Sequence, residues 1–292
     1  MRNLKENLLD LIRKTSTELP ADIIRSIENG LEKEQAGSQA YHALEIIRKN
    51  IDLAQGNSQP LCQDTGAILF FIDAPRGFDQ LIFEREARKA VVAATKKGFL
   101  RQNSVDSITG HNSGNNLGLG TPVFHFHQTT RKDVTVKLVL KGGGCENVGA
   151  QYSLPDTRLK ADRDLEGVKK CILDAVVQAQ GKGCGPGILG VTIGGDRSTG
   201  YSYSKEQFLR PLTDINPNEI LARLEAEMVE KANQLGIGPM GFGGKTTLLG
   251  CKAGVLNRLP ASYFVTVSYM CWAFRRQGFV ISTQGKIKKW LY

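Results

Sequence analysis

Glycine is the feature that most restricts what this chain can fold into. It accounts for 32 of 292 residues, about 11%, where roughly 7% is usual. It is also concentrated, in KGGGCEN (141–147), GKGCGPG (181–187), TIGGD (192–196) and GIGPMGFGGK (236–245). Clusters of this kind mark backbone that turns with positive φ or closely approaches another group. Charged residues at 23% and hydrophobic residues at 41% are ordinary for a globular chain. That balance excludes a disordered tail, a coiled coil and a collagen-like fold.

Periodic segments lie between the glycine clusters. Leu4, Leu8, Leu9 and Ile12 recur at helical spacing, a second helix runs over 20–30, and a third after Ser38 places Tyr41, Leu44, Ile47 and Ile51 on one face. Further amphipathic helices are predicted over 79–97, over 165–180 with Leu165, Val168, Ile172 and Val176 inward, and from Pro217 to Gly236 with Ile220, Leu224 and Met228 inward. Strands are predicted at 67–72, 122–128, 134–140, 188–193, 247–255 and 263–269. Strands and helices alternate too loosely for a doubly wound sheet, so the expected class is α+β. The expected organisation is a single domain over 1–292, with a helical lead-in at 1–55 and a core of mixed sheets and packed helices at 56–292. No uncharged apolar run reaches the roughly 18 residues of a membrane span. Glu6 and Asp10 mark the N-terminus as an amphipathic helix and not a secretory signal. The expected compartment is the cytoplasm.

The glycines offer false leads. Gly185-Pro-Gly187-Ile-Leu-Gly190 and Gly236-Ile-Gly238-Pro-Met-Gly241 both match G-x-G-x-x-G, but each follows a predicted helix where a dinucleotide fingerprint must follow a strand. Gly244-Lys245-Thr246 ends like a phosphate loop, yet Pro239 stands where its first glycine belongs. A bulky inorganic cofactor cradled by backbone accounts for the glycine better.

Charge is uneven as well. The net charge is +9, and the last 42 residues hold Lys252, Arg258, Arg275, Arg276, Lys286, Lys288 and Lys289 with no Asp or Glu. Such a block is a solvated face, a subunit contact, or a counterpart to an anionic ligand. No nucleic-acid module accompanies it; only Trp290 and Tyr292 stand among the basic residues.

The six cysteines form no C-x-x-C pair and no disulfide framework. Cys171 lies on an apolar helix stripe and Cys251 lies mid-strand, both as core thiols. Cys145 sits in the glycine loop KGGGCEN. Cys62 in PLCQDTG, Cys184 in GKGCGPG and Cys271 in SYMCWAFRR each lie at an element terminus, where loops carry chemistry. Their spacing alone gives no metal signature. His125 and His127 alternate on a strand without an evident carboxylate partner and read as two polar residues of one face; His111 can approach the NSGNN loop, and His42 has no evident role.

CQDTG, KGGGCEN, GCGPGILGVTIGG and MCWAFRR together resemble the class I, iron–sulfur fumarate hydratases and the related L-tartrate dehydratases, over essentially the whole chain and in the right order. The resemblance is to the α-subunit, or to the N-terminal domain of single-chain forms. It implies a [4Fe–4S] cluster on Cys62, Cys184 and Cys271, with one iron left open as a Lewis acid. It implies that Gln63 and Asp64 contact substrate, with Asp64 catalytic, that Arg101 binds a carboxylate, and that Gly143 and Gly144 line the pocket. Asn115 and Asn116 lie near the same pocket. At the second cysteine many members carry Cys-Pro-Pro, whereas here Gly185-Pro186 follows Cys184.

The implied reaction is the hydration of fumarate to malate, with tartrate dehydration as the alternative. The substrate is a small dicarboxylate, and a β-subunit in a hetero-oligomer is expected to supply the general base. The chain is expected to carry the cluster and to be inactive alone, since it stops where that second part would begin. No nucleic-acid or membrane partner is expected. Two rival readings stand from other classes: a basic nucleic-acid-binding protein acting through residues 251–292, and a structural zinc protein using the same cysteines.

Overall fold

The computed structural model describes residues 3–292. They fall into two compact units, each with its own sheet and its own apolar core. One unit comprises the chain up to Ala21 together with 49–143 and 273–292; the other comprises 22–48 and 144–272. The class is α+β. In chain order the helices are α1 (Leu4–Thr17), α2 (Ala21–Lys33), α3 (Gln39–Asn57), α4 (Gln80–Lys96), α5 (Gly143–Asn147), α6 (Leu165–Ala179), α7 (Arg197–Glu206) and α8 (Glu219–Gln234). The strands are β1 (Ala67–Pro75), β2 (Val123–Thr129), β3 (Val134–Lys141), β4 (Ala150–Ser153), β5 (Gly187–Ile193), β6 (Leu248–Val255), β7 (Phe264–Met270), β8 (Arg275–Ile281) and β9 (Ile287–Trp290).

The first unit is a five-stranded sheet in the order β2-β1-β3-β8-β9, parallel only between β1 and β2. Alternate residues Phe70, Ile72, Val136, Leu138, Phe279 and Ile281 share a core with Leu8, Leu11 and Ile12 of α1 and Phe83, Ala87 and Val91 of α4. Each fully buried large side chain contributes roughly 1.5–3 kcal/mol. Asp79 caps α4 by accepting from the Ile82 amide. The second unit holds a four-stranded sheet in the order β4-β7-β5-β6. All seven residues of β5 are buried, and the core adds Val168, Ile172 and Val176 of α6 and Leu224 and Met228 of α8.

Several expectations need correction. β4, β8 and β9, and the helices α5 and α7, have no counterpart in the sequence reading. α7 (RSTGYSYSKE) has little apolar periodicity, and its start is set by the Asp196 carboxylate, which accepts from the amides of Ser198 and Thr199. α8 begins at Glu219 and not at Pro217, because Asn218 caps it through the amides of Ile220 and Leu221. That register leaves Ile220 60% exposed and turns Leu221 inward. His127 does have a carboxylate partner, since its Nδ1 is 3.6 Å from Asp73 Oδ1 on the paired strand. His125 stacks on Phe71 at 4.7 Å between ring centroids.

The basic C-terminal segment is not one surface. Lys252, Arg275 and Arg276 are buried, and Lys252 Nζ is 2.7 Å from Asp214 Oδ1. Trp290 packs edge-on against Phe279, and Tyr292 lies beneath the Arg276 guanidinium. Neither ring is left as an open stacking platform. Among the described residues no helix is long and apolar enough to cross a membrane.

Candidate functional site

In the first unit, antiparallel registry sets three strand termini side by side. β1 begins with Ala67 opposite Lys141, the last residue of β3, and Leu140 faces Arg275, the first residue of β8. The CQDTG turn precedes β1 at this end. Its Asp64 amide donates to Cys62 Sγ at 3.4 Å. The Asp64 carboxylate is fully engaged: Oδ1 accepts from the Gly66 amide at 2.8 Å and Oδ2 from the Gly143 amide at 2.6 Å. Gly66 has φ +77°, and a Cβ there would stand 2.4 Å from the Lys141 carbonyl oxygen, so no other residue fits. Arg275 Nη1 donates to the Asp64 carbonyl at 2.7 Å.

Arg101 is exposed, and its backbone is tied to the same turn. Its carbonyl accepts from Thr65 Oγ1 at 2.7 Å and from Asn116 Nδ2 at 2.9 Å. Asn116, only 2% exposed, also accepts from the Asn103 amide through Oδ1 at 2.7 Å. It therefore acts as a brace for the loop that presents Arg101. Gln63 and Gly143 are exposed beside the turn.

In the second unit, β5 begins where β7 ends, with Ile188 opposite Met270. Cys184 lies just before β5 and Cys271 just after β7, and the Trp272 amide donates to the Cys184 carbonyl at 3.4 Å. Cys184 is exposed and has φ +54°. An L-residue in that region costs roughly 1–2 kcal/mol. Tyr269 of β7, 4% exposed, shapes this loop. A Cβ on Gly183 or Gly187 would fall 2.4 Å or 2.3 Å from its ring, and one on Gly185 would sit 3.3 Å from its hydroxyl. Burial pushes the Tyr269 phenol upward, and the nearby thiols of Cys271, Cys145 and Cys184 push it further the same way. Gly144 is exposed, and a Cβ on it would lie 3.8 Å from the Lys182 carbonyl oxygen of the same loop.

Cys171 and Cys251 are inert. Burial raises the Cys171 and Cys251 thiols to about 12, which leaves them protonated at neutral pH. The structure thus brings Cys62, Asp64, Gly143 and the Arg101 loop together in one unit, and Cys184, Cys271 and Gly144 together in the other. Among the described residues, no group of three or more His, Cys, Asp or Glu side chains is gathered so as to hold a metal ion.

A family model described as fumarate hydratase (fumerase) matches residues 5–280. The chain belongs to the fumarate hydratase family. A protein of Geobacillus stearothermophilus assigned as a class I fumarate hydratase is 53% identical over 296 aligned positions, which cover 100% of this chain and 58% of that protein. The L(+)-tartrate dehydratase subunit alpha of Escherichia coli K12 is 31% identical over 282 positions, covering 94% of this chain and 90% of the relative. A Methanocaldococcus jannaschii protein assigned as the same subunit is 30% identical over 278 positions, with 94% and 95% covered. The chain spans less than two thirds of the length of the Geobacillus relative and nearly all of the two alpha subunits.

Two residues of these sheet ends escaped the sequence reading. Arg275 was visible only as part of a basic pair after Cys271. For Tyr269 the usable signal was glycine at the alternating positions 183, 185 and 187, a spacing that lets a flat ring lie against backbone.

Proposed function

We propose that this chain is the α-type part of an iron–sulfur hydro-lyase that interconverts fumarate and L-malate. The observation that carries this reading is the Cys62–Gly66 turn, where a cysteine, a fully bonded carboxylate and a buried arginine converge at one strand end within a fumarate hydratase family chain. Cys62, Cys184 and Cys271 supply the thiolates for a [4Fe–4S] cluster. The donor chemistry suits it: soft thiolates are the usual ligands of such clusters. When bound, a cluster with one iron lacking a protein thiolate supplies a Lewis acid for the substrate hydroxyl and carboxylate.

The chain's own residues bind and orient. The Arg101 guanidinium, presented by a loop braced on Asn116, matches a substrate carboxylate with its fork of donors. The exposed Gln63 amide adds a second polar contact. Asp64 holds the Gly66 and Gly143 amides, and so fixes where the Gly143–Gly144 backbone faces the substrate. Asp64 is the acidic residue of this chain assigned to catalysis, and the base that removes the carbon-bound proton belongs to a β-type partner. The working enzyme is a cytoplasmic hetero-oligomer whose substrate is a four-carbon dicarboxylate.

Fumarate is favoured over tartrate by the higher identity to the fumarate hydratase relative. L-Tartrate dehydration is the second reading, favoured by near-complete coverage of the two tartrate dehydratase alpha subunits. The test is anaerobic reconstitution with iron and sulfide, followed by visible absorption, iron content, and assays of fumarate hydration and tartrate dehydration with the β-type partner. A brown, oxygen-sensitive protein is expected, with iron lost in Cys62→Ser, Cys184→Ser and Cys271→Ser. A colourless protein that takes up no iron would sink the reading, and zinc in place of iron would favour a structural metal site.

A further inference from the structure

Arg275 is 1% exposed, one of the largest fully buried side chains of the molecule. Among the described residues no carboxylate lies within ion-pairing distance of it, and its Nε has no hydrogen-bond partner. Its side chain's polar contact among the described residues is Nη1 to the Asp64 carbonyl, at 2.7 Å. A guanidinium taken out of water is costly unless paired. A single neutral carbonyl meets one donor and none of the charge. The cost is tolerated where a negative group completes the site, and the place is telling. Arg275 is the first residue of β8, opposite Leu140 at the strand end that also holds Asp64, Gly66 and Gly143. The carbonyl it grips belongs to the residue whose amide donates to Cys62 Sγ.

We propose that Arg275 is a positioning residue with two separable roles: it clamps the Cys62–Gly66 turn through the Asp64 carbonyl, and it supplies the buried positive charge that a bound anionic cluster requires. The second role rests on the proposed function; the first does not. The clamp explains why a buried basic residue stands at the end of a face that becomes apolar further along the strand. Leu140, Leu138, Phe279 and Ile281 continue that face into the core, while Arg275 turns its head to the turn. It also gives one residue of the basic C-terminal segment an individual task in place of a general attraction to polyanions.

Three variants separate the roles. Arg275→Lys keeps charge, Arg275→Gln keeps an N–H donor without charge, and Arg275→Met removes both. Amide hydrogen exchange at Gly66 and Gly143 in the iron-free protein reads the clamp. Iron bound per chain after anaerobic reconstitution, with the visible spectrum, reads the charge. In Arg275→Met the two amides are expected to exchange about tenfold faster, as loss of one hydrogen bond from a charged donor implies. Arg275→Gln keeps slow exchange but loads several-fold less iron, while Arg275→Lys loads iron as the native protein does. Native-like exchange in Arg275→Met overturns the clamp. Equal iron loading by the Gln and Lys variants overturns the charge. If far-UV circular dichroism shows Arg275→Met unfolded, the Lys and Gln pair still decides the charge, and exchange at Gly66 and Gly143 in Arg275→Ala, which also lacks the donor, decides the clamp. A native chain that binds no iron counts against the proposed function, and the exchange comparison still judges the clamp.

Discussion

Cys62 and Cys184 stand at corresponding places, each just ahead of a strand, yet the balance of contacts that holds them differs. Around Cys62 the grip is directional: a carboxylate bonds two amides, an arginine bonds a carbonyl, and a threonine and an asparagine secure the next loop. Around Cys184 no side-chain bond of that kind is described, and backbone bonds are joined by a steric grip, with three glycines moulded on the Tyr269 ring and the cysteine in a left-handed conformation. Directional bonds tolerate small shifts of bulk but not loss of an acceptor. A steric mould tolerates loss of polarity but not one added methyl group. Substitutions at the two ends should therefore fail in different ways.

The largest effect is expected from Gly187→Ala, whose Cβ would meet the Tyr269 ring at 2.3 Å. Ring and backbone are both fixed, so overpacking should cost about 3 kcal/mol, read from urea unfolding, with iron content falling in parallel. Native-like stability there would break the contrast outright. Next comes Asp64→Asn, nearly the same size but with one acceptor for two amides. It should cost about 2 kcal/mol and accelerate exchange at Gly66 or Gly143, while Tyr269→Phe, which preserves the mould, should leave both sheet ends intact. Cys184→Gly should act in the reverse sense. Relief of the left-handed strain should stabilise the protein by about 1 kcal/mol while abolishing iron binding, a pairing of gain and loss that an incidental cysteine would not show.

The smallest effect concerns pH. Burial works against the Asp214 carboxylate, but hydrogen bonds from Arg210 and Lys252 outweigh it and set its pKa below the ordinary 3.8. A carboxylate depressed on folding contributes stability that is present above its unfolded pKa and lost as pH falls through its folded value. Asp214→Asn should therefore flatten the stability profile below about pH 4, in acid titrations followed by circular dichroism. An unchanged acid slope would show that the Arg210–Asp214–Lys252 group adds nothing there.

The sequence was most informative where local pattern and tertiary role agree. β3 (VTVKLVL) and α6 carry apolar periodicity that packing merely uses, and their limits were read to within a residue or two. β8 was hidden because RRQGFVI opens with two arginines and holds a glycine, a combination that reads as a loop until β3 pairs with it. α7 was hidden because its start depends on one capping aspartate and little on apolar pattern. The cysteines stood out through their flanking residues, in CQDTG and GKGCGPG. What joins those residues to Arg275 and Tyr269 is a contact across more than eighty positions in each unit, and no local window contains it.

The placement of β8 also bears on the order in which the chain is made. β3 leaves the ribosome long before its partner, since Val134 pairs with Ile281 and residues 144–272, the larger part of the second unit, are encoded between them. The four strands of that second sheet are complete at Met270, before any of β8 emerges. Through this interval β3 presents VTVKLVL as an unpaired, strongly apolar edge, the kind of segment that recruits strands from other chains. Lys137 is the only charge within that stretch. Synthesis that stalls before Arg275 would leave one finished unit tethered to one adhesive one, so the arginine that clamps the Cys62 turn also opens the strand that closes this edge.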